Sequence, residues 1–392
     1  MSRISPSRVG AIALATMAVS TFPLAAYSVL AGDLIGEFGI LRSQIGLLIT
    51  ANSLVGALSS PFFGRLTDRV GAVQATRGTF ALAAATLVGM ALAPGYGVLV
   101  LVALAAGLAN GWGNPSTNAL IVENLPPGGR GVVTGIKQSG VQVGIFVAGV
   151  ALPGLAALWD WRVAVALFVV VPAVGFVITS GFPRREKFHL DEVEGRADGL
   201  PQSIKWLAVY GTISGMATSS MLAFLPLFAE EVHRWSSTAA GSLLALAAIT
   251  GVAARILWPS VAERRLGHGR TLRILAGTTT LSGILLGLAA LKVVPSWSLL
   301  PGALLLGAGA VAWNAVGMLA IMDLAGPALV GRGTGVVLLG FLLGYSAGPP
   351  LMGLSVDALG TYAPGWFTTA GLLIAAAVVA RRIPAGSTLT PS

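Results

Sequence analysis

The sequence predicts an all-α membrane protein with twelve transmembrane helices, arranged as two pseudo-symmetric bundles of six around a central cavity. Three observations support this prediction: a strongly apolar composition, twelve apolar segments of membrane-spanning length, and a duplicated order of motifs. Of the 392 residues, 55% are hydrophobic and only 10% are charged, and the mean hydropathy is +0.83. So few charges cannot cover the surface of a soluble domain of this size. The composition therefore indicates that a lipid bilayer surrounds the chain.

Apolar segments of about 20 residues, the length that crosses a bilayer, fall into two sets of six. The first apolar run is too long for the core of a signal peptide, so we expect the first helix to be retained. The first set is predicted at 8–30, 43–63, 75–94, 97–122, 131–156 and 162–182. The second set is predicted at 204–229, 237–260, 271–292, 297–322, 333–356 and 364–380.

One long polar stretch separates the two sets of apolar segments. It begins after the sixth segment and carries both basic and acidic residues, including Arg184, Arg185, Glu186 and Lys187. We interpret residues 183–203 as a cytoplasmic linker. Residues 1–182 then form an N-terminal six-helix bundle, and residues 204–392 form a C-terminal one.

Basic residues recur at every second loop. Most of the 24 Lys and Arg residues lie in segments on the same side of the membrane as both termini. An excess of Lys and Arg marks cytoplasmic loops, so the pattern predicts a multi-pass protein of the cytoplasmic (inner) cell membrane with both termini in the cytoplasm. The net charge of +9 is explained by this orientation, and we expect no nucleic-acid partner.

A charged octapeptide lies between the second and third predicted helices, and we expect it to form a tight turn at the membrane surface. Its two glycines allow helix ends to turn sharply or approach closely. Its aspartate can occupy the N-terminus of a neighbouring helix, where the helix dipole favours an anion. Its two arginines keep this face cytoplasmic. The octapeptide is Gly64-Arg65-Leu66-Thr67-Asp68-Arg69-Val70-Gly71.

This pattern, Gly-x-Leu-x-Asp-Arg-x-Gly, resembles the signature loop of the major facilitator superfamily. The family usually has basic residues directly after the last glycine, whereas this chain has Ala72 and Val73 and its next cation is Arg77. The resemblance covers nearly the whole chain and implies a secondary transporter of a small molecule. We expect a monomer in the lipid bilayer that uses no cofactor and no metal.

Motifs of the first half return about 200 positions later, which indicates an internal duplication. Asp68-Arg69 corresponds to Glu263-Arg264, Trp112 to Trp313, and Glu123 to Asp323. Duplicated halves of a transporter place the substrate near the middle of the membrane and expose it to each side in turn. We therefore expect alternating access. The residues expected to control gating are Gly64, Arg65, Asp68, Arg69, Gly71, Arg77, Glu263 and Arg264.

Two cations lie deep inside the predicted spans, away from their ends, and an intramembrane charge is a functional candidate by default. They are Lys137 in the fifth helix and Arg255 in the eighth. The resemblance implies that these helices face each other across the two halves, which would bring the two cations together. A guanidinium and an ammonium suit a mono- or dicarboxylate, so we expect a small organic anion as substrate. An arginine in the eighth helix also resembles carboxylate transporters of the superfamily.

Structural roles remain open for both cations. Lys137 can extend to the cytoplasmic surface, and Arg255 can pair with Asp68, Glu263 or helix-terminal carbonyls. Further polar residues inside the spans are candidates for the substrate site, although each also fits interhelical packing. They are Gln138, Gln142, Asn110, Trp112, Asn114, Trp313, Asn314, Tyr27, Tyr345 and Asn52.

A proton-coupled antiporter that exports drugs or metabolites is the alternative. A coupling proton or a counter-substrate would then be the second partner, with Asp33, Glu123, Glu231 and Asp323 as the proton sites. Exporters of the superfamily typically have an arginine motif in the fourth helix and a Gly-Pro motif in the fifth. Here the fourth helix has no basic residue, and Ile145 stands where the proline is expected. This mismatch favours the anion transporter.

Enzymatic function is not expected. The three histidines, His189, His233 and His268, lie in loops or near helix ends and form no His-Glu-x-x-His zinc pattern. The sequence also has no P-loop for nucleotide hydrolysis. We therefore predict a transporter that is not a primary pump.

Overall fold

The computed structural model describes residues 5–125, 130–182, 199–325 and 330–384. These residues are almost entirely helical. Eleven helical segments among them are long and apolar enough to cross a membrane. The predicted all-α membrane fold is confirmed. Most of the predicted linker, residues 183–198, lies outside the described residues.

Eight helices make up the described part of the first half. The short helix α2 follows the first span, and the predicted sixth span is divided at Phe168 and Val169 into α7 and α8. Helix α4 has 20 residues and coincides with the predicted third span, but Gln74 and Arg77 make its first turns less apolar. The helices are α1 Pro6–Val29, α2 Ala31–Phe38, α3 Arg42–Val70, α4 Ala72–Ala91, α5 Tyr96–Asn124, α6 Arg130–Leu158, α7 Trp161–Leu167 and α8 Val170–Ser180.

Seven helices make up the described part of the second half. The predicted tenth span is broken at residues 310–312 into α12 and α13. A π-helical turn, Ala262–Leu266, follows α10, and a 3₁₀ turn, Ala380–Arg382, follows α15. The helices are α9 Gln202–His233, α10 Ser237–Val261, α11 His268–Ala290, α12 Leu299–Gly309, α13 Trp313–Ala325, α14 Val330–Leu359 and α15 Ala363–Val379.

The chain divides into two compact units. Unit 1 consists of Met1–Ile40 and Leu47–Asp191, and unit 2 consists of Leu41–Gly46 and Glu192–Ser392. The start of α3 is therefore counted with unit 2. The boundaries expected from the sequence place the start of α3 in the N-terminal bundle instead.

The expected tight turn over the charged octapeptide is wrong. Helix α3 continues through Val70, and only Gly71 leaves the helix, with a φ of 84°. A Cβ added to Gly64 would meet nothing within 4 Å, so this glycine serves no close approach. The helix continues because Thr67 is buried and its hydroxyl bonds the Phe63 carbonyl at 2.7 Å. Burial on one helical face thus outweighs the turn signal of the sequence.

Small residues allow the helices within each unit to approach closely, as in other membrane bundles. In unit 1, a Cβ on Gly140 of α6 would overlap the carbonyl of Leu14 in α1. In unit 2, a Cβ on Gly344 of α14 would overlap the carbonyl of Thr212 in α9. These contacts fix the helices that carry the polar candidates.

Candidate functional site

Lys137 is a buried cation of unit 1. Helix α6 begins at Arg130, so Lys137 lies two turns into the helix, about 10 Å along its axis. Only 1% of its surface is exposed. Its ammonium donates to the amide oxygen of Asn114 at 2.9 Å and to that of Asn118 at 2.6 Å. Lys137 therefore turns into the protein and does not extend to the membrane surface.

Helix α5 presents the two amides that hold this ammonium. Asn114 and Asn118 are four residues apart, which places them on one face of the helix, one turn apart. Both asparagines are themselves exposed. Within the described residues, no carboxylate bonds Lys137. The charge is therefore solvated by neutral dipoles but is not neutralised.

Two other candidates of unit 1 make contacts between helices. The Asn110 side chain donates to the Asn52 amide oxygen at 3.2 Å. The Trp112 indole donates to the Thr67 hydroxyl at 3.0 Å and stacks on Phe63, with 4.6 Å between ring centroids. These bonds correspond to the packing role that the sequence left open.

The remaining unit 1 candidates differ in exposure. Gln138 is exposed, Gln142 is buried, and Tyr27 is fully buried. The Tyr27 hydroxyl has no hydrogen-bond partner among the described residues. The roles of these three residues stay predictions.

Arg255 of unit 2 lies beside the break between α12 and α13. Its Nε donates to the Val311 carbonyl at 2.9 Å, and the Trp258 indole donates to the Ala308 carbonyl at 3.0 Å. A break in a helix leaves carbonyls without their usual helical partners, and these two side chains of α10 supply donors. Of the alternatives for Arg255, a bond to a helix-terminal carbonyl is thus observed.

A small recess lies near the same break in unit 2. Trp313 packs between Tyr210 and Phe341, with ring centroids 5.9 and 5.1 Å away, and Tyr345 contacts Phe341 at 5.5 Å. Trp313 and Asn314 therefore line the same recess. Tyr345 contacts Phe341, which packs against Trp313. The recess is lined by Trp313, Asn314, Gly317, Met318, Ile321, Val337 and Leu338.

Two of the four proton candidates lie at helix starts. Glu123 accepts the backbone N–H of Ala72, the first residue of α4, at 3.1 Å. Asp323 pairs with the imidazole of His268, the first residue of α11, at 2.7 Å. The sequence had placed Asp68 at a helix N-terminus, but Glu123 occupies that position in unit 1. Asp68 is exposed and makes no hydrogen bond or ion pair within the described residues.

The other residues expected to control gating lie around these helix starts. Arg77 stacks over the Phe176 ring at 5.0 Å and donates to Gln74 at 3.3 Å. Arg65, Arg69, Glu263 and Arg264 are exposed. A gating role for this set remains a prediction.

Glu231 is held in a network of unit 2. Arg42 donates to both of its carboxylate oxygens at 2.9 Å. The Tyr362 hydroxyl donates to it at 2.7 Å. Burial, together with the neighbouring Glu231 carboxylate, raises the pKa of Tyr362. Asp357 caps the start of α3 by accepting the backbone N–H groups of Arg42 and Ser43 at 3.2 and 2.9 Å. Glu231 thus accepts three side-chain hydrogen bonds.

Asp33 lies near a second acidic residue of unit 1. Glu37 accepts the Trp161 indole N–H and an Arg162 N–H. Partial desolvation opposes ionisation of Glu37, but these bonds prevail and lower its pKa. The Asp33 side chain remains exposed, yet surrounding protein atoms partly desolvate it. This desolvation, followed by repulsion from Asp160 and Glu37, raises the pKa of Asp33.

Sequence reasoning missed Asn118 and the partnership of His268 with Asp323. The four-residue spacing of Asn114 and Asn118 was a usable signal, because it places two amides on one helical face. No comparable signal pointed to His268, whose side chain is only 2% exposed.

Comparison with known proteins identifies the family. The sequence profile of the Major Facilitator Superfamily matches residues 9–336. Multidrug resistance protein MdtG of Citrobacter koseri is 28% identical over 232 residues, which cover 57% of this chain and 56% of MdtG. The putative metabolite transport protein YwtG of Bacillus subtilis is 27% identical over 43% of this chain and 41% of YwtG. The chain thus matches about half the length of these relatives.

Longer matches come from another sequence and from a solved structure. The uncharacterised MFS-type transporter Rv2994 of Mycobacterium tuberculosis is 26% identical over 84% of this chain and 74% of its own length. A bacterial homologue of the human lysosomal transporter Spinster, crystallised in an inward-facing and occupied conformation, superposes with a TM-score of 0.79. It shares 18% identity, and the match covers 100% of both chains, which supports the fold. This chain belongs to the Major Facilitator Superfamily of membrane transporters and is not an enzyme.

Proposed function

We propose that this protein is a secondary transporter that moves a small organic anion, a mono- or dicarboxylate, across the cytoplasmic membrane by alternating access. The observation that carries the proposal is the buried ammonium of Lys137, which is bonded to the neutral amides of Asn114 and Asn118. A positive charge inside the spans can bind an anion, and an intramembrane charge is a functional candidate by default.

The energetics of Lys137 favour an anionic ligand. Burial of an ion costs on the order of several kcal/mol after the protein relaxes, and a well-placed counter-charge can offset this cost. Each amide contributes about 1.5–3 kcal/mol as a hydrogen bond to a charged group. The amides thus hold the ammonium in place without cancelling its charge. A carboxylate that replaced one amide oxygen would supply the missing negative charge.

The exposure of the two amides supplies a route to this position. Asn114 and Asn118 are exposed, whereas Lys137 is buried behind them. A carboxylate that approaches this face of α5 meets the amides first. It can then accept from an amide N–H and from the ammonium, a combination that distinguishes an anion from a cation.

Arg255 is a second candidate for binding a carboxylate. Its guanidinium is anchored through Nε to the Val311 carbonyl, which restricts the orientation of the planar group. A guanidinium binds a carboxylate through two parallel N–H bonds. We therefore propose Arg255 as a carboxylate-binding residue of unit 2.

Exchange in proteoliposomes tests the proposal. Vesicles preloaded with an unlabelled carboxylate are diluted into the labelled compound, and a panel of mono- and dicarboxylates is compared with sugars and hydrophobic cations. We expect carboxylate exchange that falls at least about tenfold in Lys137→Gln, since loss of one charged contact costs 1.4 kcal/mol or more. Lys292→Gln and Arg265→Gln remove exposed cations and should keep the wild-type rate.

A carboxylate-induced increase in thermal stability of the purified protein provides a second measurement. Lys137→Gln should keep its unliganded stability close to that of the controls and lose the increase. Wild-type exchange in both Lys137→Gln and Arg255→Gln would contradict the anion proposal.

Proton-coupled export of drugs or metabolites is the second candidate function. The observation that favours it is the similarity to relatives named multidrug resistance protein MdtG. Under this alternative, hydrophobic cations stabilise the protein, their transport follows the proton gradient, and Lys137→Gln remains active. The same panel of compounds therefore separates the two candidates.

A further inference from the structure

Three segments of unit 2 meet where α9 begins: the first turn of α9, the 3₁₀ turn Ala380–Arg382 and the first turns of α11. Ile204, Leu272 and Ala380, one from each segment, belong to a single buried apolar cluster. A Cβ on Gly269 of α11 would overlap the carbonyls of Ala380 and Ile383. The three segments are therefore packed directly against one another.

Five Lys and Arg residues lie on these segments. We call four of them, Lys205, Arg273, Arg381 and Arg382, together with Trp206, the basic patch; the fifth is Arg270. The guanidinium of Arg382 lies over the Trp206 ring, 5.7 Å from its centroid. The Arg273 guanidinium donates to the Gly269 carbonyl at 3.3 Å. Gly269 is the residue of α11 that lies against the 3₁₀ turn. Lys205 and Arg381 are exposed beside them. The patch thus combines four positive charges with one indole.

No protein counter-charge for the basic patch is found among the described residues. The ion pairs observed there involve none of its cations. Asp323, an acid of the neighbouring helix α13, is bonded to His268 at 2.7 Å. Four positive charges on one packed surface repel one another, so a bound anion would stabilise them.

The position of the basic patch identifies the source of that anion. Two candidate membrane spans, Gln202–His233 and Ala363–Arg382, have an end in the patch. The patch therefore lies at the level of the lipid headgroups. Tryptophan is enriched at this level because its ring is apolar and its N–H is polar.

We propose that the basic patch is a binding site for an anionic phospholipid. The phosphodiester accepts hydrogen bonds from Arg381, Arg382 and Lys205, and the Trp206 ring packs against the glycerol and upper acyl chain. Cation clusters at the ends of spans recognise anionic headgroups through such contacts. This binding does not depend on which substrate is transported.

Lipid titration of the full chain in a neutral detergent tests the proposal. Phosphatidylglycerol or phosphatidylcholine is added, and both the apparent Tm and the number of lipids retained in native mass spectrometry are recorded. We expect phosphatidylglycerol to raise the Tm and to remain bound, and phosphatidylcholine to do neither. Arg381→Gln combined with Arg382→Gln should raise the half-maximal phosphatidylglycerol concentration about thirtyfold, since each basic residue near an anionic surface contributes roughly a fivefold factor.

The matched control combines Arg264→Gln and Arg265→Gln, because these arginines form an equally charged, exposed pair in the turn before α11. The control should shift the half-maximal concentration less than threefold. Equal shifts in both double variants would indicate diffuse attraction and overturn the proposal. Equal stabilisation by phosphatidylcholine, or full replacement by water-soluble glycerol phosphate, would also overturn it. Should the double variant fail to fold, Lys205→Gln and Trp206→Leu provide the same comparison singly.

Discussion

Replacement of Asn118 by leucine should destabilise the protein because it leaves a buried charge undersolvated. Leucine has the same branched arrangement of side-chain heavy atoms as asparagine but no acceptor, so the Lys137 ammonium loses its 2.6 Å bond and keeps only the 2.9 Å bond to Asn114. A hydrogen bond to a charged group contributes about 1.5–3 kcal/mol, while polar bonds between membrane helices average nearer to about 0.6 kcal/mol. The expected loss for Asn118→Leu is therefore about 1–3 kcal/mol.

A triple variant separates the charge from the packing. Lys137→Met, Asn114→Leu and Asn118→Leu together remove the ammonium and both acceptors, so no polar group is left without a partner. Replacement of both partners by apolar groups of similar shape is nearly neutral. The triple variant should therefore lie within about 1 kcal/mol of the wild type and above Asn118→Leu, although it has more substitutions.

Thermal unfolding in detergent, followed by tryptophan fluorescence at one fixed scan rate, ranks these variants by apparent Tm. A fixed rate is needed because irreversible unfolding makes the Tm depend on the scan. An Asn118→Leu variant as stable as the wild type would refute the reasoning. A triple variant less stable than Asn118→Leu would refute it as well, since packing would then outweigh the buried charge.

Three further predictions concern other contacts. Asp33→Asn should raise the apparent Tm at pH 7, because a carboxyl pKa that is raised by folding means that deprotonation of Asp33 opposes folding. This gain in Tm should disappear as the pH falls below the ordinary carboxyl pKa. A gain in Tm that grows at low pH would contradict the prediction. His268→Asn and Asp323→Asn should show an interaction energy of roughly 0.5–3 kcal/mol in a double-mutant cycle measured by unfolding. Additive effects of the two substitutions on the unfolding free energy would contradict a stabilising contact between these side chains. Gly140→Ala should cost about 1–3 kcal/mol through overlap with α1, whereas Gly135→Ala in the same helix meets nothing within 4 Å and serves as the control.

The membrane fold could be predicted because span length and apolar composition are enforced by the bilayer itself. Local breaks could not. The tenth span is interrupted at residues 310–312, although these three residues are apolar, and side chains from α10 bond the carbonyls around the break. For the charged octapeptide the error was the opposite one: a turn was predicted, but the residues remain helical and Thr67 is buried. Tertiary contacts decided both cases.

The candidate site could be predicted in its charges but not in their partners. A cation inside an apolar span is conspicuous, so Lys137 and Arg255 were found from the sequence. Whether an ammonium extends to the membrane surface or turns inward depends on acceptors from another helix, which for Lys137 are Asn114 and Asn118. Such pairing between helices depends on packing register, and one sequence alone does not determine that register.

The two halves share one backbone feature at the start of a helix but differ in the side chains around it. Each places a glycine in the left-handed region directly before a helix, Gly71 with a φ of 84° and Gly267 with a φ of 73°. Each also brings an acid to that helix start. Glu123 reaches the first N–H of α4 directly, whereas Asp323, shorter by one methylene, reaches the imidazole of His268. The asymmetry lies in the side chains, which is why a repeat in the sequence predicts the position of the turn but not the partner of the acid.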